Sequence, residues 1–110
     1  MKQLKILLIP AIALVGSYLL AAPALADSSF SNRKYSVTIG SDDSYHGCAP
    51  SGCLYIAEPR VVESGGAHYE WRNGKYRYIM DAMNRARTKY RLKVYNPRGK
   101  RILNQVLYED

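Results

Sequence analysis

The sequence predicts an all-β domain: a small antiparallel sheet, sandwich or open barrel of five to six strands, with one disulfide. Three observations carry that prediction. Apolar and polar residues alternate through Tyr35-Val37-Ile39, Tyr69-Trp71, Tyr76-Tyr78 and Tyr90-Leu92-Val94, the period of a half-buried strand. Turn signals, Asn73-Gly74 and Asn96-Pro97-Arg98-Gly99, fall between those runs. Cys48 and Cys53 flank Ala49-Pro50-Ser51-Gly52, a sequence that folds the chain back on itself. At 110 residues the chain allows one domain and excludes dinucleotide-binding and triosephosphate-isomerase-type enzymes.

The first 26 residues read as a cleaved signal peptide, cut after Ala24 or Ala26. Lys2 and Lys5 precede an apolar run from Ile6 to Leu20, and Ala24-Leu25-Ala26 supplies small residues for the peptidase. The run is shorter than the roughly 20 residues a spanning helix needs, so no stable membrane span is expected after cleavage. The expected location is secreted or periplasmic. The remaining 84 residues would carry a net +5, with only 13 Ile, Leu and Val but nine Tyr. The core must then be small and largely aromatic, and a covalent staple would help it.

Residues 27–34 are polar and read as a flexible N-terminus, which leaves 35–110 as a single β domain. Tyr35 to Ile39 is a short strand, and Gly40 to Tyr45 a polar turn. In an oxidising compartment Cys48 and Cys53 form a structural disulfide, worth about 2 kcal/mol for so small a loop. Leu54 and Ile56 continue as a second strand, ended by Pro59. Val61-Val62 is too short to assign, and Ser64-Gly65-Gly66 breaks the chain.

Asn73-Gly74 predicts a type I′ hairpin turn. That register sets Trp71 opposite Tyr76, Tyr69 opposite Tyr78, and Glu70 opposite Arg77. Residues 81–88 lack strand alternation and form either one helical turn capped by Asp81 or an exposed connection. Tyr90 to Val94 and Ile102 to Tyr108 form a second hairpin around a type I turn with a bulge at Gly99. Ile102 and Leu103 are adjacent, so only one of them can face inward.

Charge is the functional clue. From Arg72 to Arg101 there are 11 basic residues and one acid, whereas Asp27 to Trp71 holds three bases and six acids. Arg85, Arg87, Lys89, Arg91 and Lys93 recur every second residue, so an extended chain would point all five to one side. Arg98, Lys100 and Arg101 cluster at the neighbouring turn. These residues, Lys93 aside, are the candidate anion contacts, for an acidic polysaccharide, a lipid headgroup or an acidic envelope protein. Nucleic acid is a poor partner for an exported chain without a recognition motif.

No catalytic constellation, metal site or cofactor motif is expected. His46 and His68 lack a third ligand at zinc-like spacing. Asp42-Asp43 is a turn pair rather than an alternating calcium loop. Ser51 has no His and Asp that the sequence links to it.

The order of motifs resembles small exported proteins of unassigned function found in cyanobacterial-type genomes. Its carriers are Tyr45-His46-Gly47-Cys48, Gly52-Cys53-Leu54, Trp71 to Tyr78, Tyr90 to Val94 and Asn96-Pro97-Arg98-Gly99-Lys100. That resemblance implies a secreted β domain and no particular activity. Ser64-Gly65-Gly66-Ala67-His68-Tyr69 is also similar to the Ser-Gly-x-x-Tyr loop of the periplasmic lysozyme inhibitors, with one residue more. The expected function is therefore a non-catalytic binding or envelope-associated module with a basic face. The alternative is inhibition of a cell-wall hydrolase through Ser64, Gly65 and Tyr69.

Overall fold

The structure, a computed structural model, describes residues 27–110, so the signal-peptide expectation for 1–26 lies outside the described residues. Nine strands follow in order: β1 (Ser28–Ser31), β2 (Ser36–Ile39), β3 (Tyr45–Ala49), β4 (Gly52–Ile56), β5 (Pro59–Glu63), β6 (His68–Asn73), β7 (Tyr76–Ala82), β8 (Lys89–Tyr95) and β9 (Arg101–Glu109). The prediction of five to six is corrected upward. The additional strands are short and weakly patterned: Ser-rich β1, β3 leading into the disulfide, and β5 around Val61. Pairing with their neighbours holds them extended where their own composition does not. The segment expected to be a flexible terminus contains β1, which pairs with both β2 and β9.

All pairings are antiparallel, in the order β4-β3-β2-β1-β9-β8-β7-β6-β5. Counting reversals along that order, β4 and β5 run in the same direction although they sit at opposite margins of the sheet. Only Ala57-Glu58 separates them. A two-residue link cannot span a flat nine-stranded sheet, so the sheet must roll until its margins meet. Between β4 and β5 the chain runs on without reversing, trading β3 for β6 as its partner. The result is a nearly closed up-and-down barrel, which leaves little free strand edge.

The interior is filled by alternate residues. Phe30, Val37, Ile39, Tyr45, Trp71, Met80, Tyr90, Leu92, Val94 and Leu107 form one buried cluster. Aromatic contacts tie the two sides of the β4–β5 seam together: Tyr45 on β3 lies 5.0 Å from Trp71 on β6, which stacks on Tyr69 at 5.1 Å. Trp71 Nε1 donates to the Asp43 carbonyl at 2.8 Å, anchoring the 40–44 turn.

The first hairpin forms, but its register differs from expectation by two. Trp71 faces Tyr78, Tyr69 faces Met80 and Glu70 faces Ile79. The turn residues are Gly74 and Lys75, and only Gly74 has a positive φ (62°), as a type II′ turn requires. An even shift leaves every side chain on its expected face. Glu70 therefore still meets Arg77, diagonally, at 3.3 Å. The second hairpin keeps the expected bulged turn, with Gly99 at φ 83°. The irregularity opposite Val94 and Tyr95 turns Ile102 out and Leu103 in.

Candidate functional site

In an up-and-down barrel successive connections alternate between the two ends. One end carries the connections 32–35, 50–51, 74–75 and 96–100. The opposite end carries 40–44, 64–67 and 83–88. This alternation sorts the charges. The first end holds Arg33, Lys34, Lys75, Arg98, Lys100 and, at the first position of β9, Arg101, with no carboxylate in its connections. The opposite end holds Asp27, Asp42, Asp43, Glu63, Glu109 and Asp110 against Arg85, Arg87 and, at the first position of β8, Lys89.

Asparagines shape the two longer loops of the basic end. Asn32 Oδ1 accepts hydrogen bonds from the backbone N–H groups of Lys34 and Tyr35, and Asn96 Oδ1 from those of Arg98 and Lys100. Each asparagine replaces a backbone partner, so the chain turns tightly. Arg33, Lys34, Arg98, Lys100 and Arg101 are left exposed.

Within this end lies a cavity of about 520 Å³, lined among others by Tyr35, Tyr45, Leu54, Tyr78, Ile102 and Leu103. Cys48 and Cys53 are also among its lining residues. The Tyr45 ring lies over Gly47, where a Cβ would collide with the phenol. Burial pushes the Tyr45 hydroxyl far above its ordinary pKa, and the neighbouring Tyr78 adds to the shift.

The anion candidates do not share one surface. Arg98, Lys100 and Arg101 stand at the basic end. Arg85 and Arg87 sit in the 83–88 connection at the other, where Arg87 takes φ 56° and breaks the extended run. The expectation that Arg85, Arg87, Lys89, Arg91 and Lys93 point to one side is therefore corrected. Arg87 Nη2 donates to the Ser64 carbonyl at 2.6 Å and its Nη1 to that of Gly65. Lys89, Arg91 and Lys93 do lie on the outer wall of β8, each already engaged. Lys93 pairs with Asp81 at 3.1 Å, Arg91 donates to Asn104 at 2.8 Å, and Lys89 lies 6.0 Å from the Tyr108 ring. Asp81 also bonds His68; burial raises its pKa, but His68 and Lys93 together hold it below the ordinary value.

Ser64 and Gly65 lie in the β5–β6 connection, occupied by Arg87, and Tyr69 packs inward against Trp71. Cys48 and Cys53 face each other across β3 and β4 in a disulfide. His46 lies beside them, its ring nitrogen and both sulfurs within 4.8 Å of one another. Sequence spacing did not reveal this triad because strand pairing, not sequence distance, sets it. With both sulfurs bonded to each other, no thiolate is present to bind a metal.

Arg33, Lys34 and Lys75 were not among the candidates. For Lys75 the signal was available, since its turn lies two strands before the Arg98 turn; for Arg33 and Lys34 it was not, since seven strands intervene and only the unreversed passage from β4 to β5 brings their turn to the same end. No known family model, curated protein or solved structure matches this chain.

Proposed function

We propose that the protein is an exported, non-catalytic binding module whose basic barrel end contacts an anionic lipid headgroup at the cell envelope. The observation that carries this is that the connections of one end hold five cations and no carboxylate, with Arg101 following at the first position of β9. Like charges crowded on short loops repel one another, so the arrangement favours a bound anion over bare solvent. The disulfide is consistent with an oxidising, exported location. Exposed Ile102 beside Arg101 favours a lipid over a wholly polar polyanion.

Each cation near an anionic membrane surface contributes about 1 kcal/mol. Neutralising Arg98, Lys100 and Arg101 to Gln should therefore weaken binding to anionic vesicles by about 3 kcal/mol, roughly a hundredfold. The contrasting variant, Arg85, Lys89 and Arg91 to Gln, should bind nearly as the wild type does. Vesicle sedimentation at two salt concentrations tests both, because headgroup binding must weaken as screening increases. Equal losses in the two variants, or salt-independent binding, would remove the proposal.

A further inference from the structure

We infer that the cavity inside the basic rim takes the chain of an anionic single-chain amphiphile, whose headgroup rests on the rim. This deepens, and rests on, the anion-binding reading above. A barrel of about eight staves has an interior that either fills with side chains or holds one small ligand. Here the two halves of the interior differ. Towards the acidic end Trp71, Met80 and Leu107 are fully buried, and the space left beside Phe30, Tyr69 and Tyr90 is only about 280 Å³. That end is also cross-tied: Arg87 bridges to the Ser64 carbonyl, Tyr90 donates to the Gly66 carbonyl at 2.6 Å, and Trp71 holds Asp43. Towards the basic end the interior opens into about 520 Å³, within the range of small-molecule sites. The space is a cup lined in part by Ser51, on a connection of the cationic end.

The lining matches a chain better than it matches a bare anion. Leu54 and Leu103 supply aliphatic wall, Ile102 borders the space from its outward position, and Tyr35 and Tyr78 supply aromatic faces. Ile102 is 51% exposed on the lip, immediately beside Arg101. An apolar lip next to a cation suits the junction of an amphiphile, where chain meets headgroup. Tyr45 also lines the cup; it is only 4% exposed, and its hydroxyl bonds no other described residue. Buried hydroxyls are normally partnered, so this one is available to a polar atom at the head of the chain.

Calorimetric titration of residues 27–110, disulfide intact, with dodecyl phosphate below its micelle concentration tests the inference. Methyl phosphate supplies the charge without the chain, and dodecyl maltoside the chain without the charge. Each methylene buried is worth about fourfold in affinity, so dodecyl phosphate should bind at least about a hundredfold tighter than methyl phosphate. Ile102→Gln, at an exposed position that spares the core, should reduce dodecyl phosphate binding about tenfold and leave methyl phosphate binding unchanged. Methyl resonances of Leu54, Ile102 and Leu103 should shift with dodecyl phosphate and stay in place with methyl phosphate. Equal affinity for the two phosphates would overturn the chain-binding inference while leaving the anion reading intact. No binding of either would overturn both. Dodecyl maltoside binding as tightly as dodecyl phosphate would overturn the role given to the rim.

Discussion

Trp71 is the sole tryptophan of the chain, and replacing it with Phe tests how the barrel is held together. The side chain is fully buried, stacks on Tyr69, meets Tyr45 of β3 across the β4–β5 seam and donates to the Asp43 carbonyl. Phe keeps most of the ring but loses the donor and leaves a void. The lost hydrogen bond costs about 1 kcal/mol. A residual void of roughly 40 Å³ costs about another 1 kcal/mol at about 24 cal/mol per Å³. The expected loss is thus about 2 kcal/mol, or about 8–16 °C in Tm for a domain of this size. Thermal unfolding followed by far-UV circular dichroism, with the disulfide intact, measures it. Asp43→Asn is the control: the acceptor is the backbone carbonyl, and Asn tolerates the φ of 65° at that position, so the change should be small. A loss below about 0.5 kcal/mol for Trp71→Phe would refute the view that this residue joins the walls. A large loss for Asp43→Asn would show that the carboxylate, not the carbonyl, carries the contact.

Other consequences follow from the same structure. Reducing the disulfide, or replacing Cys48 and Cys53 with Ser, should cost about 2 kcal/mol, because the closed loop is short; denaturant unfolding with and without reductant measures this. Arg87→Met should speed amide hydrogen exchange at residues 64–67 while barely changing exchange at β8, since the bonds it removes are local to that connection. On Glu70, burial raises the pKa, but hydrogen bonds from Arg77 and Arg72 outweigh it, and the net shift is downward. A depressed carboxyl pKa stabilises the fold above the ordinary carboxylate range and loses that contribution as pH falls through the folded value. Glu70→Gln should accordingly flatten the acid limb of the stability–pH profile, and an unchanged limb would count against the pairing. Asp81, depressed by His68 and Lys93 against the effect of burial, should behave in the same sense, so Asp81→Asn should flatten that limb too.

Much of the fold was legible in local patterning. The hairpin around Gly74 could be read because alternating aromatics and a turn glycine both bear on the same few residues. Its register could not, since Asn73 and Gly74 can serve either as the two turn residues or as the last strand residue and the first turn residue. Cross-strand packing against β8 and β5 decides between them. Strands β1 and β3 were missed because short segments rich in Ser, Gly and Cys carry little apolar alternation, and β5 was left unassigned because its adjacent Val61 and Val62 do not alternate. The charge excess after Arg72 was visible as composition. Its meaning was not, because Arg85 and Arg98 are 13 positions apart in sequence yet stand at opposite ends of the barrel.

The sequence by itself determined the class, the positions of the two hairpins and the disulfide pair. Each of these depends on residues within a few positions of one another or on their intrinsic chemistry. Only the tertiary structure decided that the sheet closes. Closure rests on a direction count around nine strands and on a two-residue link between margins that no local window contains. It also decided at which end each connection stands. Alternating connections send neighbours in sequence to opposite ends, as they do Arg85 and Arg98.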